Sequence, residues 1–272
     1  MFTIDIKKIN DLRKITGAGI MNCKMALIEA DGDMDKAIDI LRKLGIKVAA
    51  KRGSCTVDQG VVLAAVDEEK RFGAIVELLC ETDFVAKSDI IKPLINDILT
   101  VGVQNKITDI SALKTLKPTK TLTIEQQITD IMGVVGEKIE IRYHTIEGDK
   151  IGLYNHFSNN LSVIACFQNC PNDDVMKDVC MQIAAMNPLS IDRDGVDQSI
   201  IEKEKDIIRE QIKTAKDSAM IEKIAKGKLE KFFKENVLLE QDLMDKKISV
   251  GDYLKQNNNS MITSFKRVEI KR

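Results

Sequence analysis

The stretch that most constrains this chain runs from Phe72 to Lys87. Its first part, Phe-Gly-Ala-Ile-Val-Glu-Leu-Leu-Cys, is short, almost entirely apolar and bounded by charged residues. A run of that length and composition reads as a buried strand. Beyond it, Ser88-Asp89 precedes Ile90, Ile91, Leu94, Ile95 and Ile98. That spacing predicts a helix to about Val103, capped by Ser88 or Asp89, with Pro93 tolerated in its first turn. Thr82 to Ala86 are therefore predicted as a loop between a rigid strand and a helix. Phe84 on such a loop has two readings. It folds back into its own core while Asp83 caps a local turn, or it projects as a wedge for a partner's pocket, oriented by Asp83. Residue types alone leave both open.

The charge balance narrows the function classes. Forty-one basic residues face forty-two acidic ones, a net charge of −1, so no global field draws the chain to nucleic acid or membrane. Aromatics make up 4% of the residues and Trp is absent, which disfavours a base-stacking platform. Asp5, Lys7, Lys8, Asp11 and Arg13 near the start are unlike a signal peptide. No apolar run approaches the ~20 residues that span a bilayer. The six cysteines form no C-x-x-C pair and are expected as free thiols in a reducing, cytoplasmic setting. With two histidines, His144 and His156, no metal site is expected. Neither a phosphate-binding glycine loop nor a nucleophile elbow occurs. The chain is thus expected to carry no cofactor, to bind no nucleotide and to perform no covalent chemistry.

Read from the start, Thr3 or Asp5 can cap a helix bearing Ile6, Ile9 and Leu12, ended by Thr16-Gly17-Ala18-Gly19. A second helix turns Cys23, Ala26, Leu27 and Ala30 inward. A third carries Met34, Ala37, Ile38 and Leu41, and Gly45 is expected to close it. Such short helices must share a core. Ile20 and Met21 fall where polar turn residues are expected. They either pack beneath the module or form an exposed contact flanked by Arg13 and Lys24. Lys47 to Ser54 reads as a solvated basic hinge.

Gly60–Val66 and Phe72–Leu79 are predicted to form a hairpin, and Lys106–Lys120 a variable crossover. A helix over Thr123–Val135 is stopped by Gly136. Strands follow around Ile139–Tyr143, Ile151–Tyr154 and Leu161–Phe167, and Asp173 is expected to cap a helix to Met186. His156 sits at a strand end. Asp197–Lys213 and a helix through Ile221, Leu229 and Phe233 flank a turn at Thr214–Asp217, reading as an antiparallel hairpin arm. Its apolar surface is satisfied within the hairpin or meets another protein, which leaves a homodimer open. Ser249 caps a short helix, and Met261–Ile270 alternates as a closing strand expected to join the second unit's sheet.

Two segments carry a specific resemblance. Leu12-Arg13-Lys14-Ile15-Thr16-Gly17-Ala18-Gly19-Ile20-Met21-Asn22-Cys23-Lys24-Met25-Ala26-Leu27 resembles the first signature of the bacterial elongation factor Ts family. Glu77-Leu78-Leu79-Cys80-Glu81-Thr82-Asp83-Phe84-Val85-Ala86-Lys87 resembles the second. The similarity runs through most of the chain and is weakest between about Lys106 and Thr123. Leu79 stands where the family usually has Asn, and Asn22 where it usually has an acid. The chain stops after its closing strand, so contacts made by an extra C-terminal helix in some relatives are not expected.

The resemblance implies an α+β fold. Residues 1–53 would be a three-helix module of ubiquitin-associated (UBA-like) type. Residues 54–135 and 136–196 would be two antiparallel-sheet subdomains, 197–236 a coiled-coil arm inserted in the second, and 237–272 its closing helix and strand. It also implies guanine-nucleotide exchange on elongation factor Tu, in its GDP-bound and nucleotide-free forms. In that picture Thr82, Asp83, Phe84 and Val85 dislodge the partner's Mg²⁺. Arg13, Ile20, Met21 and Lys24 match module contacts, and Gly136 and His156 match sensitive core positions. The rival reading is a helical adaptor using the UBA-like module alone, which leaves the Thr82–Val85 loop idle.

Overall fold

The computed structural model of the protein describes residues 5–119, 121–211, 218–244 and 246–271, with the backbone alone at 218–222. Thr3, the expected turn at 214–217 and the Ile221 side chain lie outside the described residues. The described residues form eleven α-helices and two three-stranded antiparallel sheets.

The first three helices are α1 (Ile6–Thr16), α2 (Ile20–Glu29) and α3 (Met34–Arg52). Asp5 caps α1 by accepting from the Lys7 amide, and Gly17 ends it at φ +70°. Asp33 caps α3 in the same way, through the Lys36 amide. α1 and α2, at 11 and 10 residues, are too short to hold their shape alone in water. The three helices share a core of Ile9, Leu12, Ala18, Cys23, Ala26, Leu27, Ala30 and Ala37.

The core follows as β1 (Gln59–Val66), β2 (Phe72–Cys80), α4 (Asp83–Ala86), α5 (Ile91–Gln104), α6 (Ile110–Thr115), α7 (Ile124–Val135) and β3 (Ile139–Glu147). Next come β4 (Lys150–Asn155), β5 (Leu161–Gln168), α8 (Asp173–Met186), α9 (Gln198–Gln211), α10 (Ser218–Asn236), α11 (Val250–Gln256) and β6 (Met261–Glu269). The sheet orders are β1-β2-β3 and β4-β5-β6.

The two sheets stack face to face. Val62, Ala64, Ile75, Leu79 and Ile146 of the first meet Ile151, Ile164 and Cys166 of the second, with Ile270 among them. On the outer face of the first sheet, Ala74, Val76 and Leu78 pack under Leu94, Ile95 and Ile98 of α5 and Ile124 and Ile128 of α7. On the outer face of the second, Val163, Ala165 and Phe167 pack under α8 and α11. The layers run helix, sheet, sheet, helix, which explains why β2 is buried at every position. Asn155 ties the sheets by giving and taking a hydrogen bond with the Ala64 backbone, at 2.9 and 2.8 Å.

Several sequence expectations need correction. The strand 139–147 does not open the second unit. It pairs with β2 along its whole length, from Phe72↔Glu147 to Cys80↔Ile139. β3 and β4 do not form a hairpin: Gly148 and Ile151 donate to the carbonyls of Arg71 and Lys70. β4 therefore crosses into the other sheet.

Gly45 does not close α3, and 47–52 is helix rather than hinge. A Cβ on Gly45 would lie 2.6 Å from the Thr129 carbonyl oxygen, and one on Gly133 would lie 2.7 Å from the Gly45 Cα. The glycines let α3 and α7 touch backbone to backbone, and the packing outweighs the ~1 kcal/mol helix penalty of glycine. Smaller shifts occur at caps. Asn172, not Asp173, caps α8. α5 starts at Ile91 with no side-chain cap, so neither Ser88 nor Asp89 serves. The 106–120 crossover contains α6, capped by Asp109 and held by the buried Leu113.

Helices α9 and α10 meet over Val196, Ile200, Ile201, Leu229, Phe232, Phe233 and Val237. Arg193 braces their base, pairing with Glu230 at 2.6 Å and Glu240 at 2.5 Å and stacking 4.5 Å above the Phe233 ring. Among the described residues, no helix is long and apolar enough to cross a membrane.

Candidate functional site

The segment after β2 is a single helical turn, α4, rather than an open loop. Thr82 caps it, its hydroxyl accepting from the Val85 amide at 3.5 Å. Glu137, which lies just before β3, takes both donors of Thr82: the amide at 3.0 Å and the hydroxyl at 2.7 Å. Glu81 returns the arrangement. It accepts from the Lys138 amide at 2.7 Å and from Arg52 at the end of α3, also at 2.7 Å. Two carboxylates thus stitch the turn to the strand beside it and to the N-terminal helices. The Cys80 thiol donates to the Thr82 carbonyl at 3.1 Å, and burial, reinforced by Glu137, pushes its pKa up to about 11.

On one helical turn, successive side chains point about 100° apart. Val85 and Ala86 face the core and are buried. Phe84 is left facing solvent, 83% exposed. The inward reading of Phe84 is therefore excluded. Asp83 pairs with Lys87 at 2.6 Å, and Ser88 closes the turn by donating to the Val85 carbonyl at 2.7 Å. Glu137→Ala should strand two part-buried donors and cost about 1–2 kcal/mol. A urea titration reads this directly, and an unchanged midpoint would refute the clamp.

A second turn, between β4 and β5, contains His156 and Phe157. His156 lies 2.6 Å from the Ser158 hydroxyl through Nδ1, and its ring packs 4.3 Å from that of Phe157. Phe157 is 88% exposed. Asn159, at φ +53°, bends the turn back. Its carbonyl accepts from the Val62 amide of β1 at 2.7 Å, and the Asn160 carbonyl accepts from Ile270 at 2.9 Å. A cleft of about 340 Å³ separates the two turns, with Asp83, Ala86 and Lys87 on one wall and Ser158, Asn159 and Asn160 on the other.

The N-terminal candidates lie on helices. Ile20 and Met21 begin α2 rather than occupying a loop, and they are 50% and 64% exposed. Lys24, Met25 and Ile28 extend the same exposed face one and two turns on. Arg13 is exposed in the last turn of α1. The α1–α2 connection lies beside the root of the Phe84 turn, since a Cβ on Gly17 would sit 3.8 Å from Ile90 and 3.9 Å from Val134.

A family model described as Elongation factor TS matches residues 81–272. An elongation factor Ts from Amoebophilus asiaticus is 44% identical over 97% of this chain and 98% of its own length. One from Christiangramia forsetii is 40% identical over 99% of this chain and all of its own. The chain belongs to the elongation factor Ts family.

Within the elongation factor Ts frame, Gly136 has a clear structural role. It ends α7 at φ +74°, its amide bonding the Met132 carbonyl at 2.9 Å. The next residue is Glu137, so this stop delivers the carboxylate that holds Thr82. Sequence reasoning missed Glu137, Phe157, Met25 and Ile28. For the last two, the i, i+4, i+7 spacing from Met21 was the available signal. Among the described residues, no three His, Cys, Asp or Glu side chains converge on a metal site.

Proposed function

We propose that this chain exchanges guanine nucleotide on elongation factor Tu by driving the Thr82–Val85 turn into its GTP-binding domain. Family membership makes the chain a translation elongation factor of the nucleotide-exchange kind, not a catalyst of a chemical reaction. The observation that carries the finer reading is Phe84, 83% exposed on a turn that Glu137 holds at two points. A wedge must be both accessible and stiff, and this side chain has both properties.

The energetics set how the wedge acts. A GTPase holding its nucleotide at about nanomolar affinity resists release by roughly 12 kcal/mol. Burying one phenylalanine returns only about 1.5–3 kcal/mol. Phe84 therefore works as the tip of a broad contact, above ~2,000 Å². Ile20, Met21, Lys24 and Arg13 supply one flank, and the His156 turn the other. Linkage requires that the factor weaken GDP as much as GDP weakens it. In this reading Phe84 displaces a switch-region helix and the partner's Mg²⁺ loses its place. Both nucleotides then loosen, and GTP, in cellular excess, completes the exchange. The UBA-like module and coiled-coil arm belong to the same reading, with the arm available to a second copy or to elongation factor Tu.

Stopped-flow release of fluorescent GDP tests the reading. Substoichiometric chain should accelerate release from elongation factor Tu at least a hundredfold over the spontaneous rate. No acceleration at micromolar chain would defeat it.

A further inference from the structure

We infer that Phe157 is a second protein-binding anchor, gripping the same GTPase across the cleft from Phe84; the inference rests on the exchange reading above. Phe157 and Phe84 are the two most exposed large hydrophobic side chains among the described residues, at 88% and 83%. Each stands on a short turn fastened by its own hydrogen bonds. Glu137 holds one, and the His156–Ser158 contact with the Ser158–Asn160 bond braces the other. Beyond the contact of Phe157 with the His156 ring, both aromatics are left to solvent, and an exposed apolar ring on a braced turn marks a contact for a partner.

The two turns belong to one frame. Gln59 of β1 pairs with Cys80 at the root of the Phe84 turn, and Val62, three residues on, holds the Asn159 carbonyl of the other turn. A single strand therefore sets their separation. Both turns wall the same cleft of about 340 Å³. The cleft is lined by the neighbours of each ring, Asp83 beside Phe84 and Ser158 beside Phe157, so a body that seats on Phe84 and spans the cleft reaches the Phe157 turn, which commits the occupant to the partner that receives the wedge. The cleft is charged on the Phe84 side, where Asp83, Lys87 and Lys92 line it, so the occupant is a folded surface with polar groups rather than a lipid.

Anchor and wedge make different kinetic predictions. A contact made equally before and during nucleotide release lowers the concentration needed without changing the limiting rate. Phe157→Ala should raise the Kd for nucleotide-free elongation factor Tu, and the half-saturating concentration in GDP release, about tenfold or more. The limiting rate should stay within about twofold, and Phe157→Leu should retain most of the affinity. Because the ring is solvent-facing, thermal unfolding should be unchanged in both variants. A Kd for Phe157→Ala within twofold of wild type, while Phe84→Ala still slows release, would overturn the anchor and leave the exchange reading intact. Loss of self-association in sedimentation velocity with unaltered GTPase affinity would assign Phe157 to a second copy and overturn it too. Failure of the wild-type chain to bind the GTPase would remove both readings.

Discussion

Phe84→Ala is expected to slow chain-stimulated GDP release from elongation factor Tu about 10- to 100-fold, with the fold untouched. The magnitude follows from the side chain's burial value. Seating a phenylalanine in a partner is worth about 1.5–3 kcal/mol, and each 1.36 kcal/mol is tenfold in rate when the contact is made only as the nucleotide site distorts. Stability should hold because the ring touches water, 83% exposed, while Val85 and Ala86 do the packing. Surface changes of this kind stay within about 0.5 kcal/mol. Asp83→Ala should act in the same direction and less strongly, since it removes the Lys87 pairing rather than the tip. The limiting rate at saturating chain is the quantity to measure. If it is unaltered in Phe84→Ala, the wedge is wrong.

Gly45→Ala should destabilise the protein by about 1–3 kcal/mol, and the sign is what matters. In an exposed helix, alanine for glycine gains up to ~1 kcal/mol. Here the new methyl would sit 2.6 Å from the Thr129 carbonyl, closer than real side chains approach. The obstruction is backbone, which cannot rotate aside. α3 must lift from α7, and the three-helix unit loses its main purchase on the core. Arg52, at the end of α3, would also be drawn from Glu81, loosening the bracing beneath the Phe84 turn. At about 2–4 °C per kcal/mol for a chain of this size, thermal unfolding should shift down by roughly 2–12 °C. A rise in melting temperature would return Gly45 to the role of an ordinary helix residue.

These two residues mark what could be read without coordinates. The position of Phe84 was legible because its neighbours announce themselves: an apolar run of strand length before it and a helical stripe after it. That it points outward was not, because direction on a short turn depends on which neighbours find a core. Gly45 looked like a helix stop because glycine is both a terminator and a close-contact residue, and local sequence cannot separate the two. The same ambiguity misplaced strand 139–147. Its alternation was plain, but a turn after a strand does not say which sheet the next strand enters.

Strand periodicity and some of the caps were settled by the chain alone, although the expected caps of α5 and α8 were not the ones used. Asp5 and Ser249 cap where their side chains reach amides two and three residues on. Those are interactions across two or three residues, so adjacency suffices. The site is different. Glu137 meets Thr82 across 55 residues, and the Asn155 link to Ala64 that joins the two sheets spans 91. Only the folded layers bring such partners together, because loop closure must be overcome by packing that no segment contains by itself.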